Sequence, residues 1–243
     1  VKLTFLGTTG YINIKSRRHR WQTATLVSYR RTVVMLDCGS DWRSRVFDIA
    51  PTAIAITHAH ADHMFGLKDG APCPVWATET SWGIARGWRD VVEHRRDVRE
   101  REPFSVGAMT LEAFACEHSV RAPAVGYRIE AGDVRIFYVP DLVRIVDAQT
   151  ALRDLDMYVG DGAMISRSLI RRAADGTPVG HSSILRQVDW CAEYGVPRAV
   201  FTHCGTQIVR GDERTIGPRI HRYGAERGVA TRIAHDGLEI VLV

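Results

Sequence analysis

Thr57-His58-Ala59-His60-Ala61-Asp62-His63 follows directly on the apolar run Ala53-Ile54-Ala55-Ile56. The run reads as a buried strand, so four potential ligands leave one rigid strand end within six positions. A chance H-x-H-x-D-H is expected on the order of once in a thousand chains of this His and Asp content. Neutral imidazoles and a carboxylate suit Zn2+ and tolerate Mn2+ or Fe2+, whereas Mg2+ or Ca2+ asks mainly for oxygen. His58 and His60 alternate on an extended segment and point the same way, toward one ion. Asp62 and His63 lie past the turn, within reach of a second ion.

Four residues are too few for two ions, so further ligands are expected at other strand ends. His118 follows the apolar stretch Leu111–Ala115, Asp141 follows Val134–Val139, and His203 follows Ala199–Thr202. Singly, such a His is more often structural and such an Asp a turn residue. Together they complete a seven-residue set along one edge of a sheet, where loops on a rigid scaffold hold chemistry.

Outward from these stretches, alternation predicts strands over Leu3–Leu6, Thr25–Tyr29, Val33–Leu36, Val75–Ala77, Val125–Ile129 and Met157–Val159. The last third alternates in type: a helix over Ser183–Tyr194, the strand to Thr202, a helix over Glu213–Glu226, then strands Thr231–Ala234 and Leu238–Leu242. Ser182 or Ser183 caps the first of these helices, and Gly195 with Pro197 stops it. Mixed strands joined by helices predict an α/β layering, and with no repeat or Pro/Gly-rich linker the 243 residues read as a single domain.

With 45% hydrophobic and 25% charged residues the chain matches an ordinary globular protein, which excludes a disordered or fibrous class. A net charge of +4 is too small to mark a dense nucleic-acid-binding surface. Residues 86–102 carry arginines interleaved with acids and read as a solvated face. Lys15-Ser16-Arg17-Arg18-His19-Arg20 is the one local excess of positive charge, placed beside a strand end, where Arg17 and Arg18 could grip phosphate. The five cysteines form no C-x-x-C pair, which predicts reduced thiols and a cytoplasmic protein. No signal segment stands at the start, and no apolar run approaches the ~20 residues that span a bilayer.

In the order and spacing of Leu36-Asp37-Cys38-Gly39, the H-x-H-x-D-H, Glu117-His118-Ser119, Pro140-Asp141 and Thr202-His203, the chain resembles the metallo-β-lactamase superfamily over nearly its full length. The resemblance implies a four-layered αββα sandwich. It implies that His58, His60 and His118 bind one metal, that Asp62, His63 and His203 bind the other, and that Asp141 bridges them around a hydroxide. Asp37 would be a buried acid behind the ligands, holding a ligating imidazole by its other nitrogen. Family members often form homodimers.

Within the superfamily, Asp141 stands where many zinc β-lactamases place a Cys, and the set with His63 looks like the phosphodiesterase and lactonase branches. Gly180-His181-Ser182-Ser183 is similar to the Gly-His-Ser segment of the tRNase Z branch, where the His assists proton transfer to the leaving group. By that likeness His181 is the expected acid and Asp62 and Asp141 complete the catalytic set. Ser182 and Ser183 lie where a helix N-terminus would meet an anion. No long Gly/Pro-rich insertion is present to grip whole tRNA, so a small, cyclic or nucleotide phosphodiester is expected. A lactonase or thioesterase on the same metals is the alternative, and a non-catalytic or redox metal module the third.

Overall fold

The computed structural model describes residues 1–243, the side chain of Arg89 excepted. Two sheets stack face to face. The first runs Leu238–Val241, Lys2–Gly7, Ala24–Tyr29, Thr32–Leu36, Ala53–Ala55, Val75–Thr78, Arg95–Val98. The second runs Arg144–Ile145, Met109–Glu117, Ala124–Ala131, Val134–Tyr138, Met157–Asp161, Arg198–Thr202, Ala230–Ile233, with Phe104–Val106 paired to Met109–Glu117.

Side chains alternate across each strand, so every buried strand feeds two cores. Leu3, Phe5, Val34 and Leu36 meet Leu111, Tyr127, Ile136 and Tyr138 between the sheets. On the outer face of the first sheet, Met35, Ile54 and Ile56 pack under Trp42, Met64 and Leu67. On the outer face of the second, Phe137, Tyr158 and Phe201 pack under Ile184, Val188 and Cys191 of the helix Ile184–Glu193. The result is the expected αββα sandwich.

Each sheet contains a parallel block: Thr32–Leu36 through Arg95–Val98 in one, Val134–Tyr138 through Ala230–Ile233 in the other. Parallel strands deliver their carboxyl ends to a single edge, and ligand sites of open α/β sheets gather there. The predicted strands all form, within a residue or two at their ends.

Five strands escape the sequence reading: the short Phe104–Val106 and Arg144–Ile145, and three that lie at exposed or half-buried positions. The charged segment 86–102 contains the edge strand Arg95–Val98, three of whose four residues are exposed. Charges along a free edge block pairing with another chain. Leu169–Arg172 and Pro178–His181 form a separate two-stranded hairpin, half-buried at most. All five cysteines are buried and free. No helix of the described residues is long and apolar enough to cross a membrane.

Candidate metal centre

His58 leaves the strand Ala53–Ala55 buried, and a chain of hydrogen bonds sets its tautomer. The Thr57 hydroxyl donates to Asp37 (2.9 Å), so at 3.1 Å the His58 Nδ1–H must donate to the Thr57 oxygen. Nε2 of His58 is therefore bare. His118 donates Nδ1–H to the Gly180 carbonyl at 3.1 Å, which leaves its Nε2 bare as well. Both bare nitrogens converge on Nδ1 of His60, at 3.0 and 3.2 Å. A tetrahedral ion bound at ~2.0–2.1 Å spaces its nitrogens by about 3.3 Å, so these three atoms already stand nearly at ligand separation.

A second group lies alongside. His63 donates Nδ1–H to Asp37 at 2.9 Å, while its Nε2 is buried without a hydrogen-bond partner, 3.5 Å from Asp62 and 3.6 Å from Asp141. His203 contributes Nε2, 3.0 Å from Asp62 and 3.6 Å from Asp141. Asp141 approaches both groups: Oδ2 stands 3.7 Å from His58, and Oδ1 lies 2.9 Å from Nδ1 of His118. The unpaired, buried Nε2 of His63 is costly unless a cation completes it, so the donor set fits divalent ions. Gly10 backs this group, because a β-carbon there would lie 2.8 Å from the His203 ring.

Asp37 organises both groups from behind. It is fully buried and accepts from the Thr57 amide (2.8 Å), the Thr57 hydroxyl, His63 and the Tyr138 hydroxyl (3.4 Å). Through His63 directly, and through Thr57 to His58, one carboxylate turns a bare nitrogen into each half of the site.

The structure also brings in a residue that the sequence reading missed. Asp161 ends the strand Met157–Asp161, fully buried, and its Oδ2 accepts from His181 Nδ1–H at 2.9 Å and from the Leu142 amide at 3.2 Å. Its signal was present, since it follows an apolar strand as Asp141 and His203 do. Gln187 holds the Asp161 backbone in place on both its amide and its carbonyl. His181 Nδ1 lies 2.8 Å from Asp141 too.

Charge follows from these neighbours. Burial opposes protonation of His181, but the carboxylates of Asp141 and Asp161 outweigh it and push the imidazole up to about 12. Burial and the neighbouring imidazoles His63 and His118 hold His58 well below its ordinary range. Burial leaves His60 at about 4. Burial opposes ionisation of Asp62, yet His63 and His203 hold its carboxyl well below the usual range.

Four expected substrate contacts do not reach this site. Arg18 pairs with Glu213 at 2.8 Å and lines a separate cavity with His19 and His235, and Arg17 is exposed outside the metal-lined cavity. Ser182 is buried and donates to the Val143 carbonyl at 2.6 Å, while Ser183 caps its helix by accepting from the Arg186 amide. The first helical amides are likewise used, Ile184 and Leu185 donating to the Met164 and Ile165 carbonyls. No free amide remains at that helix start for an anion.

Residues 32–204 match the model of the beta-lactamase superfamily domain. The chain is 24% identical to ribonuclease Z of Methanopyrus kandleri, over 89% of this chain and 92% of that one. Against ribonuclease BN of Citrobacter koseri it is 26% identical, and the match spans 55% of this chain and only half of the relative. Two solved structures share the fold: a diphosphatase of the PhnP family (TM-score 0.73, 22% identity, 98% and 96% of the two chains) and Zn2+-bound PqqB from Methylobacterium extorquens (TM-score 0.73, 16% identity, both chains covered in full). The layered fold, the clustered His and Asp ligands and the family match agree: the chain belongs to the beta-lactamase superfamily, as a metal-dependent hydrolase.

Proposed function

We propose that the chain is a phosphodiesterase working with two divalent ions, zinc first among them, on a small or nucleotide phosphodiester. The observation that carries this reading is the Asp161–His181 pair set against Asp141 in the wall of the cavity. His58, His60 and His118 would hold one ion, Asp62, His63 and His203 the other, and Asp141 would lie between them. Ions held there would supply a nucleophile at neutral pH and polarise the electrophile.

The remaining work belongs to the chain's own side chains. Asp161 holds Nδ1–H of His181, which keeps the imidazole charged and leaves Nε2–H to face the cavity. Phosphodiesters release an alkoxide, a poor leaving group, and a positioned imidazolium can protonate that oxygen as it departs. Relatives named ribonuclease Z and diphosphatase support cleavage at phosphorus. The largely apolar lining, with Ile12, Val120, Leu169 and Val179, favours a carbonyl hydrolase as the second reading.

Protein loaded with Zn2+ or Mn2+ is expected to cleave bis(p-nitrophenyl) phosphate and natural phosphodiesters. Activity confined to lactones or thioesters overturns the proposal in favour of the second reading.

A further inference from the structure

The cavity in front of the metal ligands has a volume of about 640 Å3, the size of a small-molecule site. One of its walls is the hairpin Leu169–Arg172 and Pro178–His181. In that hairpin Leu169 pairs with His181 and Arg171 with Val179. Side chains alternate along a strand, so Leu169, Arg171, Val179 and His181 share one face, and all four line the cavity.

The hairpin is fixed to the metal site at its root. Gly180 donates its amide to the His118 carbonyl at 2.9 Å and accepts Nδ1–H of the same residue. Its φ of +124° and the Leu169 carbonyl, 1.9 Å from where a β-carbon would sit, admit only glycine. Arg171 is therefore carried on an arm anchored at the site, two residues or roughly 7 Å along the strand from the level of His181. Arg121 enters the same cavity from the loop that follows His118.

Several of the chain's arginines are committed to carboxylates. Arg18, Arg43, Arg101, Arg144 and Arg227 are all ion-paired. Among the described residues, neither Arg121 nor Arg171 has a carboxylate or hydrogen-bonding partner for its guanidinium. They are also the cavity's only lysine or arginine residues, in a lining that is otherwise mostly apolar apart from the metal-directed groups. A guanidinium fork matches a phosphate oxygen pair and is weakly hydrated, which suits it to an apolar wall.

We infer that Arg171, aided by Arg121, forms a subsite for a second phosphate, so that the favoured substrate is a nucleotide phosphodiester bearing another phosphate beyond the scissile one. This rests on the phosphodiesterase reading for turnover, but not for binding. Arg171 and Arg121 are specificity residues and take no part in bond cleavage.

The test compares a 2′,3′-cyclic nucleotide carrying a 5′-phosphate with its 5′-hydroxyl counterpart, on Zn2+-loaded protein. Wild type is expected to prefer the first by about tenfold or more in kcat/KM, the scale of one charge-assisted hydrogen bond. In Arg171→Ala that ratio falls to within about twofold of one. Arg172→Ala, altered on the opposite face of the same strand, keeps it. Calorimetric titration with a nucleoside 3′,5′-bisphosphate and a 3′-monophosphate reads the same preference without turnover. If wild type cleaves neither cyclic nucleotide, the phosphodiesterase reading fails while the titration still decides the subsite. Equal affinity for the two titrants in wild type, or an unchanged preference in Arg171→Ala, overturns the inference.

Discussion

Replacing Asp37 by Asn tests whether one buried carboxylate orients both halves of the metal centre. Asp37 receives four donors and has no contact with solvent. Asn keeps a single oxygen and turns an NH2 group toward hydrogens already aimed at it, from His63 or from Thr57. A hydrogen bond to a charged acceptor contributes about 1.5–3 kcal/mol, and a buried donor left unmatched costs a similar amount. The metal-free variant is therefore expected to lose about 2–4 kcal/mol in urea unfolding. The larger consequence is for tautomers. Without the acceptor, Nδ1–H of His63 is no longer imposed, and the Thr57 hydroxyl is released from its role toward His58. Loss of such a partner typically weakens metal binding 10–100-fold. Competition with a chromophoric zinc chelator measures that affinity with no need for a substrate. A folded Asp37→Asn protein that binds zinc within twofold of wild type refutes the reasoning.

Further tests reach other parts of the molecule. His181→Ala should cost about 100-fold in turnover of diesters with alkoxide leaving groups and much less with p-nitrophenolate, which departs without a proton; equal losses on both would remove the acid role. Gly10→Ala places a methyl against the His203 ring, and an affinity loss of about tenfold at one of two zinc equivalents is expected, whereas two unaltered equivalents would show that the ring can yield. Burial leaves His19 at about 4, below its ordinary 6.5, so the unfolded chain takes up the proton first. Stability contributed by neutral His19 is thus complete above pH 6.5 and falls by up to about 3 kcal/mol as pH drops toward 4. Urea titrations at pH 7 and 4.5 should show a smaller drop in His19→Gln than in wild type, and an identical drop in both would contradict this.

Much of this molecule is legible before any coordinates. Strands such as Thr32–Leu36 and Val134–Tyr138 bury both faces in a two-sheet sandwich, so their apolar character survives in the sequence. Parallel topology brings together the ends of the strands that precede His58, Asp141 and His203, and the seven expected residues do converge. What escaped has a common physical cause. The edge strand Arg95–Val98 is mostly exposed and the hairpin ending at His181 exposed or half-buried, and both are stabilised by backbone pairing, which leaves no pattern in side-chain polarity. Arg17 and Arg18 drew attention as a run of charge, but Glu213 neutralises Arg18, and charge density along a chain carries no direction. Asp161 follows an apolar strand as Asp141 does, but its role depends on a partner, His181, that belongs to another element.

The division of ligands between the two sheets has a bearing on how the protein matures. His58, His60, Asp62 and His63 come from one sheet, while His118, Asp141 and His203 come from the other. A nascent or partly folded chain displays the first four within a few residues of each other, before the opposing sheet has docked. Such a segment can capture a metal ion early, in a coordination that lacks its three distant partners. Docking before loading and loading before docking are therefore different routes to a filled site. Protein expressed under excess metal and protein refolded first and charged afterwards are expected to differ in metal content, which elemental analysis of the two measures.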